Sequence, residues 1–232
     1  METSPFHSEI AAALLLVGGH FLLSSHPLRA LLIERLKPEG FRLAYSFFAV
    51  ASLVWLILAY GEAPQVALWP SPAWGQTLAL LVMPVASILV FAGLTTPNPT
   101  MVGGEKILND TVVAARGILT ITRHPFLWGV TAWSVTHLLV LGDLASVIFF
   151  GSFAVLALGG MRHIDLRRQR DLDASWAPLQ LTTSLLPLAA VLAGRTRIDW
   201  KGIGWWRLLG GLTLFVFLLQ LHPWVLGASP LH

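Results

Sequence analysis

The sequence predicts an all-α integral membrane protein, with about six transmembrane helices in one bundle plus a short interfacial or re-entrant segment. Three observations carry this expectation. The 232 residues are 55% hydrophobic and only 12% charged, whereas soluble domains carry about 25% charge. Six apolar runs reach the roughly 17 to 25 residues a helix needs to cross a bilayer. Finally, every Lys and Arg falls in alternate connections between those runs or at their edges.

The runs lie at about 7 to 24, 41 to 60, 75 to 94, 124 to 141, 144 to 161 and 204 to 222. The first holds Gly18, Gly19 and His20 near its end. The fourth opens on Arg123-His124-Pro125, where proline at the first turn costs no intrahelical bond. Only Gly142-Asp143 separates the fourth from the fifth, so these two form a tight antiparallel hairpin. The stretches 28 to 33 and 185 to 194 ("LLPLAAVLAG") are apolar but too short to span; the second reads as interfacial or re-entrant. No repeat interrupts the chain, and residues 1 to 232 read as a single transmembrane domain.

Arg29, Arg35, Lys37 and Arg42 follow the first run, and Lys106, Arg116 and Arg123 the third. Arg162, Arg167, Arg168, Arg170, Arg195, Arg197, Lys201 and Arg207 follow the fifth. These are all fifteen basic residues of the protein. The positive-inside rule then puts these loops in the cytoplasm and both termini outside it, across a bacterial inner membrane. The basic residues do not share one soluble face, which argues against nucleic acid as a partner. No basic residue precedes the first run, which argues against a cleaved signal peptide. With no cysteine, disulfides and thiolate ligands are excluded and any bound metal must rely on other donors.

Histidine inside a span is costly unless it is paired, lines a cavity or holds a cofactor. His20 and His137 lie deepest in the runs; His26, His124 and His222 each precede proline and read as span edges. His20 reads either as hydrogen-bonded to a neighbouring helix or as a donor approached by a flat ligand beside Gly18 and Gly19. His137 shares a helical stripe with Phe126, Val130, Trp133 and Val140, with Ser134 three residues before it. Two such histidines are what haem ligation inside a bundle requires. At ~1.5 Å per residue, however, they differ by roughly 8 Å in depth. Arg123 and His124 read either as a helix start with an interfacial anchor or as donors to an anion such as a haem propionate, a phosphate or a carboxylate.

"GHFLLSSHPLRALLIERL", "GFRLAYSFFAVASLVWL", "RGILTITRHPFLWGVTAWSVTHLLVLGD" and "TTSLLPLAAVLAGR" resemble the NnrU family, which includes 15-cis-ζ-carotene isomerase. The resemblance covers most of the chain. It implies haem b held by two histidines, falling on His20 and His137, with Trp133 and Ser134 in the segment of the second and Arg123 and His124 at the polar edge of the site. It further implies a redox-linked role, either in the production of active nitrite and nitric-oxide reductases or in cis-trans isomerisation of a polyene. The implied partners are the lipid bilayer and either that hydrophobic polyene or respiratory and denitrification membrane proteins. Ser134 stands where the isomerases carry cysteine, so a switch to sulfur ligation is not available here. The RHP helix start and the basic segment 162 to 187 also resemble membrane methyltransferases of the isoprenylcysteine type, which would bind S-adenosylmethionine; the tyrosine and paired glutamates of that group are missing.

Overall fold

The computed structural model describes residues 6–104, 107 and 115–227. Lys106, counted above with the basic loops, and His232 lie outside the described residues. The helices are α1 (His7–Ser24), α2 (His26–Glu62), α3 (Gly75–Thr95), α4 (Pro125–Leu141), α5 (Leu144–Leu172), α6 (Ala177–Thr182), α7 (Ala189–Leu192), α8 (Trp200–Ile203) and α9 (Trp205–Leu226), with 3-10 turns at Gly117–Thr120 and Asp173–Ser175. Every expected span is a helix. By length and composition α1, α2, α3, α5 and α9 are long and apolar enough to cross a membrane. The apolar α4 is shorter, 17 residues, or about 26 Å. The protein is therefore a helical, multi-pass membrane protein.

Three boundaries differ from the sequence expectation. The stretch 28 to 33 belongs to α2, which bends at Lys37 (φ 62°, ψ 163°). Pro38 supplies no N–H and drives the preceding residue out of the helical region, so the bend falls there. α5 runs on to Leu172 through the basic segment 162 to 170. α9 continues through Pro223 to Leu226, so His222 sits within the helix rather than at its edge.

The chain forms two compact units, one from Met1–Ala73 and Ser134–Leu156, the other from Trp74–Trp133 and Ala157–His232. In the first, α1 and α2 pack along one another. A β-carbon at Gly19 would lie 2.1 Å from the Phe48 ring, so this glycine is what admits Phe48. The segment after α2 straps the α4–α5 turn: the N–H groups of Leu68 and Trp69 donate to Gly142 O, and Leu144 N–H donates to Val66 O. Asp143 starts α5 by accepting from the backbone N–H of Ser146 (2.9 Å).

In the second unit α3 and α9 approach at Gly210 and Gly211, where a β-carbon would meet the Phe91 ring or the Ile88 backbone. Small residues at a helix crossing permit such close packing in a membrane, where water supplies no hydrophobic drive between helices. Arg207 ties the start of α9 to the end of α3 through the carbonyl (3.1 Å) and hydroxyl (3.2 Å) of Thr95. Ala92, Ile118, Leu119 and Ile203 form a buried cluster beneath these contacts.

Candidate functional site

His20 and His137 both belong to the first unit. The Nδ1–H of His20 donates to Leu16 O, four residues back on α1, at 2.6 Å. A carbonyl can only accept, so this bond fixes the tautomer and leaves Nε2 as the bare lone-pair nitrogen. Among the described residues no other hydrogen bond is made by the ring, which lies edge-on to Tyr45 (5.4 Å between centroids) and 6.3 Å from Phe48. A histidine oriented through its second nitrogen by a backbone carbonyl is the arrangement that metal ligation uses. Of the two glycines beside it, Gly18 is open to approach, while the bare side of Gly19 is filled by Phe48.

His137 is half-buried and its ring stacks on Phe150 (4.8 Å, 18° between planes). Phe150 lies edge-on to Tyr60 (6.1 Å). The Tyr60 hydroxyl meets Ser146 Oγ (3.1 Å), which donates in turn to Asp143 (2.5 Å). Glu9 and Asp143 are close enough for their charges to interact, so Glu9, Tyr60, Asp143 and Ser146 mark one level of the unit. From that level His20 is eleven residues along α1 and His137 six residues back along α4, about 16 and 9 Å by helical rise. The backbones thus differ by about 7 Å in depth. Side chains lean toward the N-terminus of their helix, which brings His20 up toward that level and His137 down away from it. This lean narrows the difference in depth between the two rings. Ser134 is fully buried, Trp133 is half-buried, and both are engaged in contacts of their own. The donor chemistry of this region fits a haem.

Arg123 and His124 belong to the second unit, and the structure supplies them with an anion of its own. Arg123 Nε donates to both oxygens of Asp165 (3.0 and 2.9 Å) and its Nη2 to Oδ2 (2.5 Å); His124 Nε2 lies 2.8 Å from Oδ1. Arg123 and Asp165 are only 8% and 9% exposed, and His124 1%. The motif backbone is equally engaged. Arg123 O accepts from Asn98 Nδ2 and Thr100 Oγ1 (both 3.1 Å), and Arg123 N–H donates to Ser184 O (3.1 Å). Asp165 was missed in the sequence because it lies in the charged stretch read as loop. Its signal is the helical spacing of Met161, Asp165 and Arg168, all of which are buried.

The segment 183 to 188, between α6 and α7, returns against this backbone. Leu188 N–H donates to Ile121 O (2.8 Å), and Leu185 O accepts from Thr122 Oγ1 and Trp128 Nε1 (both 2.8 Å). This accounts for the stretch expected to be interfacial or re-entrant: short helical turns whose polar backbone is paired with the RHP segment. A cleft of about 350 Å³ opens beside it, with Arg123 and Arg195 in its lining.

Compared with known proteins, the chain matches the family model described as "NnrU protein" over residues 10–230. No curated protein and no solved structure matches it.

Proposed function

Since the chain belongs to the NnrU family, we propose that it is a haem b protein of the bacterial inner membrane, with a redox-linked role, in which His20 and His137 would hold the haem. The observation that carries the reading is His20 itself. Its ring sits in a span, is oriented by Leu16 O, and keeps Nε2 without a hydrogen bond among the described residues.

Haem b bound there would supply one-electron chemistry within the apolar phase. The protein's part is positional. Leu16 O holds the His20 tautomer, Phe150 holds the His137 ring by stacking, and Tyr45 and Phe48 flank the His20 ring. Such a centre would serve the production of nitrite and nitric-oxide reductases or the isomerisation of a polyene entering from the bilayer. Arg123 and His124, committed to Asp165, act in this reading as scaffold.

The test is the absorption spectrum of detergent-purified protein from haem-replete cells, oxidised and reduced. A sharp b-type reduced spectrum is expected. His20→Ala and His137→Ala should each lose low-spin character, with the double variant little worse than either, because ligands of one centre act as a unit. Imidazole should restore part of the low-spin signal in each single variant, and His26→Ala should keep it. A colourless wild type would overturn the proposal. Binding of S-adenosylmethionine by that colourless protein would favour the methyltransferase alternative instead.

A further inference from the structure

The cleft beside the RHP segment carries two cations with unused donors. Arg123 spends Nε and Nη2 on Asp165, and its Nη1 has no hydrogen bond among the described residues. Arg195 spends Nη1 on the carbonyls of Leu181 (2.6 Å), Thr183 (2.9 Å) and Gln180 (3.5 Å), and its Nε and Nη2 have no hydrogen bond among the described residues. Arg123 and Arg195 line the cleft, together with Gln180, Thr183 and Leu186, and among the described residues no carboxylate lines it. Asp165 balances Arg123; none of the described lining residues balances Arg195.

Each guanidinium is held in place by the bonds it does make. Arg123 is fixed by the two-oxygen contact with Asp165, and Arg195 by the carbonyls at the end of α6. Two anchored planar cations with free N–H edges suit an oxyanion, because guanidinium donors match phosphate oxygens in both geometry and charge. The volume, about 350 Å³, is within the range of small-molecule sites. Leu186 in the lining and Leu181, whose carbonyl holds Arg195, are apolar and strongly exposed. A charged cleft rimmed by bare leucines is what a surface at the edge of a bilayer presents.

We infer that the Arg123–Arg195 cleft binds a phosphate-type oxyanion, carried by a phospholipid headgroup or free in solution. This goes beyond the haem reading and does not depend on it, since the site lies on other residues and its readout is not spectroscopic.

The test uses the full-length protein in detergent. Inorganic phosphate is titrated at constant ionic strength with unfolding temperature as readout. Retention of phosphatidylglycerol against diacylglycerol is measured separately by native mass spectrometry. Arg195→Gln removes one cation. Gln180→Glu adds a carboxylate to the lining without removing any hydrogen bond made by the Gln180 side chain, so it remains informative should Arg195→Gln fold poorly. Protection by phosphate alone identifies a free-oxyanion site; retention of phosphatidylglycerol without an effect of phosphate identifies the headgroup. In either case both variants should weaken binding at least tenfold. The inference is overturned if neither probe binds, if diacylglycerol is retained as well as phosphatidylglycerol, or if Gln180→Glu binds like the wild type.

Discussion

Asp165→Asn is the sharpest perturbation of the RHP site, since it removes one charge and almost no volume. In the wild type the carboxylate accepts from Arg123 Nε and Nη2 and sits 2.8 Å from His124 Nε2, with Arg123 and Asp165 both more than nine-tenths buried. Removing one partner of such a pair leaves the other charge buried and uncompensated, which costs about 3–5 kcal/mol. The asparagine carbonyl still accepts one bond, and Arg123 borders an open cleft, which places the expected loss near ~3 kcal/mol. For a chain of this size that lowers the unfolding temperature by roughly 6–12 °C. The assay is thermal unfolding in detergent, run as a cycle with Arg123→Gln and the double variant. The double variant should be more stable than the two single losses added together, because no unpaired cation remains in it. An Asp165→Asn variant within about 0.5 kcal/mol of the wild type, the range of ordinary surface changes, would refute the claim that this pair anchors the site.

The Asp199 carboxylate accepts from the backbone N–H groups of Gly117 and Gly202 (both 2.9 Å), which hold its pKa below the ordinary carboxylate value. Its contribution to stability is therefore complete above the unfolded pKa and is lost as pH falls through the lower folded one. Unfolding temperature measured from about pH 6 to about pH 3 should fall less steeply in Asp199→Asn than in the wild type, and parallel curves would contradict this. Reporter fusions after Gly61 and Gly142 should read as periplasmic, and those after Gly40, Gly104 and Arg170 as cytoplasmic. Consistent reversal would invert the proposed orientation, and conflicting signals within one connection would break the six-span arrangement.

The spans were legible because a bilayer demands a long apolar stretch, and this chain marks the ends of each with charge, glycine or proline. The hairpin at Gly142-Asp143 was legible for the same reason, since only two residues separate α4 from α5. Hydropathy was silent where a helix continues after its apolar part has ended. α5 keeps its pitch for eleven residues beyond Met161, because Arg, Leu and Gln are good helix formers whatever their polarity. That extension delivers Asp165 to Arg123, a contact 42 residues apart that no local pattern announces. Glu9 is a second residue whose surroundings no sequence pattern announces. An acidic residue in the first turn of a helix reads as a solvated group favoured by the helix dipole, yet Glu9 is only 1% exposed and neither of its carboxyl oxygens has a hydrogen-bond partner among the described residues. Composition reports which residues a membrane chain contains near its polar ends. Whether such a residue faces water, a partner or neither depends on the neighbouring helix, and at His20, Asp165 and Glu9 that neighbour answers differently each time.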